Sequence, residues 1–197
     1  MPLRLQVILA TTRPGRKGPE FGRWFAKYAS NNSNFEIDVV DISEFNLPVF
    51  DEPQHPVMQN YEHDHTKRWS ETIAKGDAYV FVMPEYDHTA PASLINALTY
   101  LSKEWAYKPA GFVSYGGVSG GLRGVQSLKP MLNALKMVPV PEAVTIPNYG
   151  EFLDDNGFNA NELHEKGAAD MLAELAKWAG ALKSIRTPTE AKTSQAA

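Results

Sequence analysis

Five short apolar runs alternate with five amphipathic, helix-length patterns, and this alternation restricts the chain more than any other feature. The runs are Leu3–Ala10, Phe35–Val40, Ala78–Met83, Ala110–Tyr115 and Ala143–Ile146. They are continuously apolar rather than alternating, as strands covered on both faces require. Between and after them lie Pro19–Ala29, Thr66–Lys75, Ala92–Leu101, Gly124–Leu135 and Glu162–Leu182. In the first of these, Phe21, Trp24, Phe25 and Tyr28 recur at helical spacing. A repeated strand–helix order predicts an α/β fold: one doubly wound, five-stranded parallel sheet with helices on both faces. Right-handed crossovers leave 2-1-3-4-5 as the natural strand order.

The 197 residues are 43% hydrophobic and 21% charged, which suits one domain, taken as residues 1–186. The small polar stretch 187–197 reads as a disordered tail. Glu44–His65 carries Pro48, Pro53 and Pro56 and reads as an irregular excursion: a lid, a pocket wall or an oligomer contact. A net charge of −4 gives no reason to expect nucleic acid or an anionic membrane as a main partner. There are no cysteines, so neither disulfides nor thiolate chemistry enter, and a cytoplasmic location is the expectation. The first ten residues show no secretory pattern, and no apolar run approaches the ~20 residues of a membrane helix.

In such a sheet, ligands bind beyond the carboxyl ends of the strands, where the strand order reverses. Three loops converge there. The first, "TTRPGRKGPE" from Thr11 to Glu20, offers two hydroxyls, Arg13, Arg16 and Lys17, and leads straight into a helix. Backbone N–H groups at a helix start attract anions, so a monophosphate fits, although a solvated basic turn has the same composition. The spacing matches neither a Walker loop nor G-x-G-x-x-G. The second loop, "PEYDHTAP", sets Pro84 to stop strand pairing, Thr89 to cap the next helix and Pro91 to open it. Tyr86 and His88 offer rings to flank a flat ligand, with freed backbone N–H groups facing it; the alternative is a self-satisfied turn. The third, "SYGGVSGGLRG" from Ser114 to Gly124, holds five glycines and admits close backbone approach to a ligand, or simple flexibility. Together the loops describe a site for a flat ring system carrying a phosphate, the shape of a flavin mononucleotide.

"PEYDHTAPASLINALTYLSKEW" followed by "KPAGFVSYGGVSGGLRGVQSLKPML" resembles the NADPH-dependent FMN reductase family, from Leu5 to about Pro141. The resemblance implies a flavodoxin-like fold, bound FMN reduced by NADPH or NADH, and an acceptor that is a quinone, free flavin, azo dye or metal oxyanion. It implies a cytoplasmic homodimer or homotetramer. Thr11, Arg13, Arg16, Gly18 and Pro19 would hold the phosphate. Pro84, Glu85, Tyr86 and Asp87 would run beside the ring system, and Ser114, Tyr115, Gly116 and Gly117 would meet its pyrimidine side. Tyr86, His88 and Gly120 would contact substrate. The flavin carries the chemistry, with no side-chain nucleophile and with loop amides near Gly116 and Gly117 stabilising negative charge on the reduced ring. Asp87 stands where the family commonly has Asn, Gly18 where Ser is common, Ile95 where Lys is frequent and Thr99 where Asp is.

Two other readings use the same residues: a flavodoxin-type electron carrier, which the cations of "RPGRKG" argue against, and a redox-sensing flavoprotein acting on a protein partner. His55, His63 and His65 invite a metal, but His-x-His on a polar stretch lacks a closed ligand set, and no metal is expected. Trp69, Leu98 and Trp105 read either as core or as a dimer face.

Overall fold

The computed structural model describes residues 2–186; the expectation for 187–197 falls outside them. The chain runs β1 (Arg4–Leu9), α1 (Gly18–Asn32), β2 (Glu36–Asp41), α2 (Asp64–Ala74), β3 (Ala78–Pro84), α3 (Ala92–Thr99), β4 (Pro109–Tyr115), α4 (Leu122–Ala134), β5 (Val138–Ile146) and, after a two-stranded hairpin β6 (Leu153–Asp154) and β7 (Gly157–Phe158), α5 (Glu162–Arg186). β1 to β5 form one sheet in the order β2-β1-β3-β4-β5, every pairing parallel. The expected doubly wound topology is the observed one.

The continuous apolar runs have a direct cause. Successive side chains of a strand point to opposite faces. In β3, Ala78, Val80 and Val82 pack with Phe21 and Phe25 of α1 and Met171 and Leu175 of α5. Tyr79, Phe81 and Met83 pack on the other face with Trp69, Leu94, Leu98, Val125 and Leu132 from α2, α3 and α4. A strand with a core on each side has no polar face to show.

Two local readings are corrected and one open alternative is decided. Pro84 does not end the ladder: it pairs with Tyr115, and the Glu85 N–H continues to the Tyr115 carbonyl at 3.1 Å. The nitrogen of Pro84 points toward β1, which has already ended at Leu9, so its missing N–H costs nothing there. β5 begins at Val138, ahead of the apolar run, and carries a register shift opposite Ala110–Phe112; Pro139 and Pro141 are tolerated because β5 is an edge strand. Trp69, Leu98 and Trp105 are fully buried, so they are core and no dimer face.

The excursion 44–65 is irregular, with 3-10 turns at Ile42–Phe45 and Pro56–Met58. Buried Glu104 ties it down, accepting from Tyr61 Oη at 2.9 Å, Gln59 Nε2 at 3.2 Å and Ser70 Oγ at 2.6 Å. His63 and His65 stack on each other beside Asp51. Among the described residues no group of three or more His, Cys, Asp or Glu is arranged for a metal. No helix among them is long and apolar enough to cross a membrane.

Candidate functional site

Because β1, β3 and β4 are adjacent and parallel, the loops that follow them leave the sheet on one edge. They meet in a cavity of about 170 Å³ lined by Arg13, Gly15, Arg16 and Lys17 from the first loop, Pro84, Glu85 and Tyr86 from the second, and Tyr115, Gly116 and Gly117 from the third. Tyr149, from the loop after β5, also lines it. Its ring stands edge-on to Tyr115 with centroids 5.5 Å apart. The sequence reading missed Tyr149: it follows the shortest apolar run and belongs to no motif.

The first loop turns at Arg13–Arg16, where the Arg16 N–H reaches the Arg13 carbonyl at 3.3 Å. Its two arginines separate. Arg16 forks onto Asp41 at the end of β2, at 2.7 and 2.5 Å, and also donates to Ser43 Oγ and the Thr11 carbonyl. Burial pushes the Asp41 carboxyl up, but the bonds from Arg16 and Ser43 outweigh it and hold the group below its ordinary range. Arg16 thus borders the cavity with its guanidinium committed to the loop's own support. Arg13 has no carboxylate partner among the described residues and lies over the Tyr86 ring, 5.9 Å from the centroid. Lys17 likewise has none. Thr11 is buried, and its hydroxyl and that of Tyr115 stand 3.1 and 3.2 Å from where a Cβ on Gly18 would lie. A side chain at position 18 would therefore press on both hydroxyls. Pro19 sits in the first turn of α1.

The second loop is a tight hairpin. Tyr86 and Thr89 exchange backbone bonds at 3.0 and 2.8 Å, with Asp87 and His88 between them at φ 48° and 65°. Consecutive left-handed residues define such a two-residue turn, and Asp and His tolerate that region better than most. The Glu85 and Tyr86 N–H groups are hydrogen-bonded within the chain, to the Tyr115 and Thr89 carbonyls, so neither is among the freed N–H groups expected of this loop. Thr89 closes the turn through the Tyr86 carbonyl instead of capping α3, whose start has no side-chain cap. Asp87 and His88 are exposed at the tip.

In the third loop the Gly116 N–H is bonded to the Ile146 carbonyl at 3.2 Å, whereas no partner among the described residues takes the Gly117 N–H. Of the two amides, only that of Gly117 is left without a partner among the described residues. Ser114 is buried and donates to the Gly120 carbonyl at 2.9 Å, behind the cavity. Gly120 packs against Thr145 and Pro147, away from the opening. The structure brings Arg13, Arg16, Pro84, Glu85, Tyr86, Tyr115, Gly116 and Gly117 to one cavity; Thr11, Gly18, Ser114 and Gly120 are buried outside its lining, and Pro19, Asp87 and His88 do not line it.

The donor set suits FMN: two cations without a carboxylate partner at a helix start, aromatic walls at Tyr86 and Tyr149, and a glycine backbone opposite. A larger cleft of about 780 Å³ beside α3, with Thr12, Val49, Ile95 and Asn96 in its lining, carries no charged side chain. It lacks what a phosphate requires.

Residues 3–151 match the family model for NADPH-dependent FMN reductase. A NAD(P)H-dependent FMN reductase of Schizosaccharomyces pombe is 38% identical over 73% of this chain and 74% of its own length. A quinone reductase of Pseudomonas putida is 29% identical over 78% of this chain and 82% of its length. Among solved structures, FerB, a flavoenzyme NAD(P)H:(acceptor) oxidoreductase from Paracoccus denitrificans, superposes with a TM-score of 0.71 over 91% of this chain and 98% of its own, at 19% identity. That likeness concerns the fold; the family model over residues 3–151 and the 38% identical relative show the family, and the chain is a member of the NADPH-dependent FMN reductase family of oxidoreductases.

Proposed function

We propose that the chain binds FMN in the cavity at the rim of β1, β3 and β4, draws electrons from NADPH or NADH and passes them to a quinone, free flavin, azo compound or similar acceptor, donor and acceptor using one place in turn. The observation that carries the reading is the meeting of Arg13 and Lys17, which have no carboxylate partner among the described residues, with Tyr86 and Gly116–Gly117 at one cavity. Bound FMN supplies hydride acceptance and donation. The chain's own residues bind and orient. Arg13 and Lys17 hold the phosphate. Tyr86, stiffened by its hairpin and by Arg13 over its ring, walls one side of the slot. The Gly117 N–H donates toward negative charge on the ring system. His88 and Asp87, at the exposed tip, meet the incoming substrate.

We also propose a cytoplasmic enzyme that associates as a homodimer or homotetramer; exposed Val49 and Ile95 at the cleft beside α3 support association there. Light scattering on the purified protein decides that point, and a monomer would remove it. For the activity, the test is the visible spectrum of purified protein after incubation with FMN. The expected result is a flavin band that bleaches anaerobically with NADPH and returns on adding a quinone. Protein that stays colourless after reconstitution defeats the reading, and a flavin band that NADPH leaves unchanged points to an electron carrier.

A further inference from the structure

Glu85 stands in a motif that borders the cavity, yet its carboxylate turns toward the neighbouring loop. Oε2 accepts from Ser119 Oγ at 2.8 Å, from the Arg123 N–H at 3.0 Å and from the Gly124 N–H at 3.2 Å, while Oε1 accepts from Arg123 Nε at 2.7 Å. The side chain is 6% exposed. Burial pushes the carboxyl up, and these bonds outweigh it, so the group is held below the ordinary carboxylate range.

α4 needs this partner. It begins behind Gly121, which sits at φ 88° with no side chain to offer its first N–H groups. A Cβ at 121 would lie 2.8 Å from the Tyr115 nitrogen and from Ser114 Cβ, so the helix has no room for a cap of its own. The cap comes instead from the loop on the other side of the cavity, and its negative charge suits the helix N-terminus. The same two loops also touch through backbone: a Cβ on Gly124 would stand 2.9 Å from the Thr89 carbonyl oxygen.

We propose that Glu85 is a positioning residue which, by capping α4 from the opposite loop, sets the width of the slot between Tyr86 and Gly116–Gly117 and thereby the affinity for FMN. The inference rests on the FMN reading above. The test titrates flavin-free full-length protein with FMN by fluorescence quenching and follows amide hydrogen exchange of the same flavin-free samples. Glu85→Ala is expected to raise the FMN Kd about 10-fold or more, because several hydrogen bonds to a charged group are lost together. Glu85→Gln should recover part of that affinity: its amide oxygen still accepts from Ser119 and the two α4 N–H groups, while the negative charge and the ion pair with half-exposed Arg123 are lost. Gly124→Ala keeps the carboxylate but presses on the Thr89 carbonyl, and should weaken FMN as well. Lys103→Ala, remote from the site, should not. In Glu85→Ala, exchange should quicken at residues 119–124 and stay unchanged in β1 and β3. Wild-type affinity in Glu85→Ala, or unaltered exchange at 119–124, overturns the proposal. If Glu85→Ala does not fold, the Gln and Gly124→Ala variants carry the comparison, and equal wild-type affinity in Gly124→Ala rejects it. Should the wild-type chain take up no FMN, the cofactor reading fails, and the exchange comparison alone still decides whether Glu85 holds the loop.

Discussion

Arg13 and Arg16 share one loop and one residue type, but their surroundings assign them different tasks. Arg13 lines the cavity over the Tyr86 ring with no carboxylate partner among the described residues, whereas Arg16 is gripped by Asp41. A charge-assisted bond contributes roughly 1.5–3 kcal/mol, so Arg13→Ala should weaken FMN about 10- to 100-fold by fluorescence titration while leaving the urea midpoint unchanged. Lys103→Ala should do neither. Arg16→Ala leaves Asp41 partly buried and unpaired, and should destabilise the fold by about 2–3 kcal/mol in urea. The sign with pH follows from the depressed Asp41 carboxyl. Its contribution is complete above the ordinary value of 3.8 and is lost as pH falls through the lower folded value. The stability gap between wild type and Arg16→Ala should therefore close below that pH, and a gap that persists there contradicts the assignment. Nothing in "RPGRKG" separates the two arginines, because the partner of Arg16 lies on β2.

Among the elements, sequence periodicity identified all five helices and all five strands of the main sheet, and it lost accuracy where partners from elsewhere decide the ends. Pro84 looked like a stop because its missing N–H counts against a strand, but the side it faces has no neighbour left to bond. The start of β5 was hidden by two prolines that only an edge position tolerates. Thr89 had the composition of a helix cap, yet the hairpin at Tyr86 takes its hydroxyl first. The pair Trp69 and Trp105 is a further case, since helical aromatics serve either core or interface. Trp69 donates from Nε1 to the Ala97 carbonyl at 2.9 Å and is fully buried. Trp69→Ala should cost about 3–5 kcal/mol in urea denaturation. The oligomer mass should stay the same, which distinguishes a core residue from an interface one.

For the molecule as a whole, the cavity joins loops from β1, β3 and β4, so a ligand bridging them should stabilise the entire domain. At FMN near 100 times Kd, linkage supplies about 2.7 kcal/mol, or roughly 5–10 °C in Tm for a chain of this size. Scanning calorimetry at several FMN concentrations checks this, and a Tm independent of FMN would contradict the assigned site. The larger cleft beside α3 also gathers residues that follow β1, β2 and β3, among them Thr12, Ser43 and Ser93, but no charged side chain; Arg13, Arg16 and Lys17 line the smaller cavity instead.

By itself the sequence determined the sheet, its strand order and the three loops, because continuous apolar runs, helical spacing and glycine density are local properties written in neighbouring residues. It also placed Arg13, Tyr86 and Gly116 on one rim, since parallel strands deliver their following loops to a single edge. Only the tertiary structure decided which charged side chain faces the cavity and which braces it. Arg16, Glu85 and Ser114 sit inside recognisable motifs, yet each is held by a partner outside its own motif or by the loop's own backbone. Those partners come within hydrogen-bond reach only after the chain has folded.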